Sequence, residues 1–234
     1  MAPNTACSKP ETQAMQRFDP TVITHNLQPI AAGLATTIGT WATGVVIGIL
    51  IGFLIAVMQL FCGRWVRGLL RFYIELFRGT PFLVQLFLLY YGGPSIGLTL
   101  EPMTAGVLGL GLYGSAYFAE AFRSGFQSVP PGHLEAASCL GLSRWQAVLR
   151  IQVPQMLVLI VPALTNLIIV LSKETAVLSI VTVPELTFVL TGIGSATFAF
   201  VETLLALCVC YLALVELTSR AGMWAEARIA RFMA

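Results

Sequence analysis

The residues of this sequence with chemistry to offer are charged or amidic side chains set in apolar surroundings. An ionisable group inside a membrane is costly and is kept mainly where it functions. Arg71, Glu75 and Arg78 are spaced four and three apart, which places them on one helix face and predicts pairing among them. Alternatively, Arg78 beside the Gly79-Thr80-Pro81 break offers a guanidinium fork to a carboxylate. Lys173 and Glu174 are adjacent, so on a helix they diverge by about 100° and cannot face one surface. Glu174 with the Thr175 hydroxyl suits an ammonium ligand, whereas Lys173 suits snorkelling at a helix end. Gln85, about a turn beyond Pro81, either binds a polar solute or ties two helices together. Glu120 with Arg123, and Glu216 with Arg220, are spaced for simple pairing. Glu202 has no such partner in its own helix.

Other chemistry is missing from the pattern. No Gly-x-x-x-x-Gly-Lys-[Ser/Thr] stretch is present to cradle nucleotide phosphates. No His/Cys/carboxylate group has metal-ligand spacing, and neither His25 nor His133 has a nucleophile beside it. The expectation is a non-catalytic chain without cofactor or metal, whose driving energy arrives from a gradient or a partner. The five cysteines, Cys7, Cys62, Cys139, Cys208 and Cys210, form no disulfide framework.

The elements that must position these groups are membrane helices. The 234 residues are 57% hydrophobic and only 10% charged, with a mean hydropathy of +0.84, against about a quarter charged in a soluble domain. Net charge is +2, too small to suggest a nucleic-acid partner. A helix needs about 20 apolar residues to span the hydrocarbon core. Five stretches qualify, 29–61, 72–91, 103–122, 153–171 and 196–218, so the fold expected is an all-α membrane bundle with about five transmembrane helices. Pro81, Pro154 and Pro162 should kink or break spans. Gly33, Gly39, Gly44, Gly48 and Gly52 form a small-residue track suited to close helix packing.

Basic residues set the orientation. Arg64, Arg67, Arg71 and Arg78 follow the first span, Arg123, Arg144 and Arg150 flank residues 128–154, and Arg220, Arg228 and Arg231 follow the last. The opposite loops, 92–102 and 178–195, contain no Lys or Arg. The positive-inside rule therefore places 128–154 and the C-terminus in the cytoplasm and the N-terminus outside. The chain divides into a polar N-terminal tail (1–28), a membrane domain (29–220) and a cytoplasmic C-terminal tail (221–234). Residues 178–195, with Val183-Pro184-Glu185-Leu186, suit a short interfacial or re-entrant helix.

Residues 128–154 are the longest run that is not plainly membrane-filling. Pro130 and Pro131 suit a helix start, and Gly141 suits a left-handed helix end. Ser143 with Gln146 is a capping-box pattern for a second helix. Glu135-Ala136-Ala137 sets one carboxylate beside small residues that let another surface approach. Physically, such an elbow is either a surface helix whose arginines set topology or a docking element.

Glu135-Ala136-Ala137, Gly141 four residues later, and a basic–hydrophobic run ending in Val153-Pro154-Gln155 resemble the cytoplasmic EAA loop of binding-protein-dependent ABC importer permeases. Residues 73–87, containing Arg78-Gly79-Thr80-Pro81, residues 116–123, and Lys173-Glu174-Thr175-Ala176-Val177 resemble the polar amino-acid branch, of the histidine, glutamine and arginine type. The likeness runs from about Leu27 to Arg220 in the family's order. It implies a type I importer permease fold in the bacterial cytoplasmic (inner) membrane. It implies that Pro131, Gly132, His133, Glu135, Ala136, Ala137, Gly141 and Ser143 form the coupling site for an ATPase. It also implies that Arg78, Thr80, Gln85, Glu174 and Thr175 approach the path of a small polar amino-acid-like solute. The implied partners are a dimer of ABC ATP-binding subunits, a second permease subunit of the same or a sister chain, a periplasmic or lipid-anchored solute-binding protein, and membrane lipid. His133 stands where the family more often has Gln, and Ala176 where it often has Ser. The rival reading is an ion-gradient-driven secondary transporter, for which mid-membrane carboxylates and inverted repeats are the signature; neither is evident.

Overall fold

The computed structural model describes residues 18–230; residues 1–17 of the expected N-terminal tail and the last residues, 231–234, lie outside them. The described chain is helical. A five-residue helix α1 (Thr21–His25) leads into α2 (Leu27–Phe61), α3 (Arg64–Gly79), α4 (Phe82–Phe87) and α5 (Pro102–Ser128). After these come α6 (Pro131–Cys139), α7 (Arg144–Ala147), α8 (Val153–Glu174), α9 (Leu186–Thr197) and α10 (Phe200–Ala230).

α5 is the centre, with Ala105, Leu110, Ala116, Phe118 and Ala119 wholly buried. Lipid tails are as apolar as these side chains, so close van der Waals fit must hold the bundle together. The glycine track of α2 supplies it. A Cβ on Gly52 would stand 2.8 Å from the Ala119 nitrogen, and one on Gly48 would stand 3.2 Å from the Phe118 ring. Gly39 has nothing within 4 Å and takes no part in that contact.

The second span is bent rather than continuous. It begins at Arg64, not near residue 72, and α3 meets the segment Phe82–Ile96 at 107°. Thr80 and Pro81 are extended at the corner, as the ring of Pro81 and its missing N–H require. The Gln85 amide seals the break, donating to the Phe77 carbonyl (2.8 Å), the Thr80 carbonyl (3.0 Å) and the Thr80 hydroxyl (2.7 Å).

The second helix of the elbow and the fourth span are one helix. A helix runs unbroken from Arg144 to Val181, 38 residues, through a π-helical turn at Val148–Gln152 and a 3-10 turn at Thr175–Val181. The π turn falls just before Pro154, whose ring disrupts regular bonding to the preceding turn. The predicted span 153–171 was therefore too short at both ends. α10 likewise continues past residue 218, so residues 221–230 are helical. Trp224-Ala225-Glu226-Ala227-Arg228 contains no breaker.

Three helices among the described residues are long and apolar enough to cross a membrane, and the bent pair makes a fourth. α5, at 27 residues or about 40 Å, is the remaining expected span. It is less apolar because it faces protein, not lipid.

Candidate functional site

Two arrangements carry the predicted site residues, an exposed elbow and a line of polar side chains running from Arg78 along α5. In the elbow, Pro130 caps α6 and Pro131 occupies its first turn. α6 ends where Gly141 takes φ +73°, a left-handed conformation that costs glycine little. The Leu142 N–H reaches back to the Ala137 carbonyl at 3.1 Å, and the Gly141 N–H to the Ser138 carbonyl at 3.0 Å. Ser143 and Gln146 form the reciprocal capping box of α7.

Gly132, His133, Glu135 and Ala136 are exposed, while Ala137 is buried. The small pair therefore divides. Ala136 faces outward, and Ala137 lets α6 lie close on its own chain. The His133 imidazole Nδ1 meets the Gln155 amide oxygen at 2.7 Å, joining α6 to the first turn of α8. Arg144 donates to the Leu60 carbonyl at 2.6 Å and lies over the Phe61 ring, which also meets Trp145. The elbow is thus braced on the end of α2.

The polar line starts at Arg78, whose guanidinium lies 5.5 Å from the centre of the Tyr117 ring. Tyr113 donates from its hydroxyl to that of Tyr117 at 3.2 Å, and the Glu174 carboxylate lies within electrostatic reach of Tyr113. Arg78 is not paired with Glu75, and neither is Arg71. All three side chains are exposed, where an i,i+4 pair contributes only about 0.3–0.5 kcal/mol, less than ring stacking offers Arg78. The other two expected pairs do form. Arg123 grips Glu120 through two bonds (2.9 and 2.5 Å), and Arg220 meets Glu216 at 2.7 Å.

The remaining predicted solute contacts turn inward. Thr80 and Gln85 are occupied in sealing the break. Thr175 is wholly buried, donating to the Ser172 carbonyl at 2.7 Å and meeting the Tyr211 hydroxyl at 3.2 Å. Lys173 and Glu174 diverge as adjacent helical residues must. Lys173 opens onto a cavity of about 380 Å³ with Thr187 and Tyr211, while Glu174 is partly buried.

Sequence reasoning missed three groups. Tyr113 and Tyr117 stand four apart on α5, a spacing that could have flagged a shared face. Glu185 is wholly buried and caps α9, accepting from the Thr187 and Phe188 N–H groups at 2.9 and 2.8 Å. An acidic residue after Pro184 and before an apolar helix was its signal. Glu202, left without a partner above, accepts the Asp19 N–H at 2.8 Å. Asp19 in turn accepts from the Thr21 hydroxyl and N–H, and these bonds hold its carboxyl below the usual carboxylate range.

Long apolar helices, one span bent and another packed through its glycines, define a membrane-embedded helical bundle. Residues 44–231 match the family of binding-protein-dependent transport system inner membrane components, and the chain belongs to that family. It is 33% identical to the probable amino-acid ABC transporter permease protein PatM of Vibrio harveyi, over 84% of this chain and 89% of that one. It is also 33% identical to the nopaline transport system permease protein NocM of Agrobacterium fabrum, over 89% and 91%. A solved amino acid ABC transporter crystallised with histidines superposes with a TM-score of 0.84 at 34% identity, covering 90% of this chain and 98% of that one. The inward-facing MetNI methionine ABC transporter shares the fold, at a TM-score of 0.67 and 21% identity over 89% of this chain and 96% of that one.

Proposed function

We propose that the chain is the permease subunit of an ATP-binding-cassette importer and moves a polar amino acid or a related small solute into the cytoplasm. The observation that carries this reading is the elbow: α6 presents Glu135 and Ala136 outward and is tied by His133 to a helix running without interruption to the solute-facing segment. A push on α6 therefore reaches Glu174 through one stiff element. The elbow and C-terminus face the cytoplasm and the N-terminus the outside, as the arginine distribution requires. Two ATP-binding subunits dock on the elbows of a permease pair, identical or sister, and a solute-binding protein delivers from outside. ATP-driven closure then switches the bundle between inward- and outward-facing states, and hydrolysis belongs to the partners.

In the polar line, Arg78 faces the solute carboxylate and Glu174 its ammonium, a polarity matched to an amino acid. Thr80, Gln85 and Thr175 hold the backbone around that line. The amino-acid transporters among the relatives support the same solute class. With the assembled transporter in vesicles, uptake should require ATP on the elbow side, and cysteines at Glu135 and Ala136 should cross-link to an ATPase. Arg78→Ala and Glu174→Gln should each lower uptake about tenfold, the equivalent of ~1.4 kcal/mol, with ATPase co-purification unchanged. Uptake driven by a proton or sodium gradient without ATP would overturn the reading.

A further inference from the structure

The elbow end contains a second cluster that neither the coupling surface nor the polar line uses. A cavity of about 290 Å³ is lined by Arg67, Arg71, Arg123 and Arg144 together with Gln59 and Gln127. Among the described residues, Arg123 is the one of the four guanidiniums with a carboxylate partner. Arg67 and Arg144 are held in place by carbonyls at the end of α2, Arg67 by Gln59 at 3.1 Å and Arg144 by Leu60 at 2.6 Å. These bonds orient both forks and leave most of their N–H groups unused. Arg71 has no hydrogen-bond or ion-pair partner among the described residues, and its fork lines the cavity.

Gln59 is the second sign of a ligand. It is 8% exposed, lines the cavity, and its side-chain oxygen is buried with no hydrogen-bond partner. That oxygen is shut off from the cavity, so what Gln59 can offer a bound group is its amide N–H, a donor. The site thus asks for an anion.

We propose that this cavity binds a phosphate group, its oxygens on Arg67, Arg71 and Arg144 and on the Gln59 amide N–H. Guanidinium forks match phosphate geometry. Two sources offer this chemistry, the glycerol headgroup of an anionic phospholipid and free hydrogen phosphate. Basic pockets between membrane helices on the cytoplasmic side suit anionic headgroups, and the exposed apolar stripe of α3 (Trp65, Leu69 and Phe72) places acyl chains nearby. The proposal needs only that the elbow end faces the inner leaflet, so it stands or falls separately from the solute assignment.

The test uses the full chain assembled with its partner subunits and delipidated in detergent. Retention of phosphatidylglycerol against phosphatidylcholine is measured by native mass spectrometry, with and without 10 mM inorganic phosphate (roughly 10⁴-fold above a micromolar site). The expected result is at least a fivefold preference for phosphatidylglycerol, lost in Arg71→Gln and in Gln59→Leu. Arg150→Gln, which removes the same charge from an exposed position outside the cavity, should keep the preference. Displacement of lipid by phosphate, or phosphate binding without lipid preference, assigns the free ion as the source and supports the site. Neither lipid preference nor phosphate binding, equal loss in Arg150→Gln, or loss of the ATPase subunit in place of lipid in Arg71→Gln overturns it.

Discussion

Two corners of this molecule turn one helix into another, and they are built oppositely. At the elbow, α6 and α7 are capped by their own neighbours: Pro130, Gly141, and the Ser143–Gln146 box act within a few residues. At the far corner, Glu185 caps α9 and also meets groups from distant elements, Thr37 of α2 at 3.5 Å and Tyr211 of α10 at 3.4 Å. Thr37 in turn accepts the Leu186 N–H at 3.0 Å. The far corner is buried and knotted to the frame, whereas the elbow is exposed and joined to it by few side chains. A corner made from local bonds is free to shift against the frame; a corner tied to distant elements is fixed by the rest of the fold.

Breaking the knot should have the largest effect. Glu185→Ala removes the α9 cap and leaves the Thr187 and Phe188 N–H groups and the Tyr211 hydroxyl short of a buried acceptor. The cap loss of ~1 kcal/mol and an unsatisfied-group cost of about 1–3 kcal/mol together predict a loss near ~3 kcal/mol. Thermal unfolding in detergent should show Tm lower by roughly 6–12 °C, and Glu185→Gln, which keeps an acceptor oxygen, should lose much less. An unchanged Tm in Glu185→Ala would mean the far corner is no more fixed than the elbow.

Gly141→Ala should cost less and act differently. Forcing a Cβ into φ +73° costs about 1–2 kcal/mol, and it falls on an exposed turn with open space around it. The elbow should fray locally, weakening ATPase co-purification more than it lowers Tm. A fall in Tm as large as that of Glu185→Ala would erase the difference between the corners.

The same contrast explains what could be read in advance. The elbow was legible because each of its signals is a residue acting on its sequence neighbours. The first span, the Pro81 break and the Glu120–Arg123 pair were legible for the same reason. Glu185 was not, because its burial depends on Thr37, 148 positions away. Arg71, Glu75 and Arg78 have correct pairing spacing, yet the α5 ring of Tyr117 captures Arg78. The Tyr113–Tyr117 step and the Gln59 cavity also need α5 in place before either can be seen. The true length of α10 was obscured because hydropathy falls where the helix leaves the apolar zone, although helix propensity does not.

The smallest expected effect is the most telling about the lever. His133 and Gln155 are exposed or nearly so, and a hydrogen bond of that kind contributes about 0.5–1.5 kcal/mol at most, so His133→Ala should leave Tm within a few degrees (~2–4 °C per kcal/mol). Yet this 2.7 Å contact is the direct side-chain link from the outward surface of α6 to the first turn of α8, bypassing the glycine corner. If the elbow works as a lever, His133→Ala should let ATP hydrolysis by the assembled transporter proceed while solute uptake per ATP falls. His133→Gln keeps a donor near the Gln155 oxygen and should restore much of the ratio. Uptake per ATP equal to that of the unmodified protein in His133→Ala would show that force reaches α8 only through the backbone of Gly141 and α7.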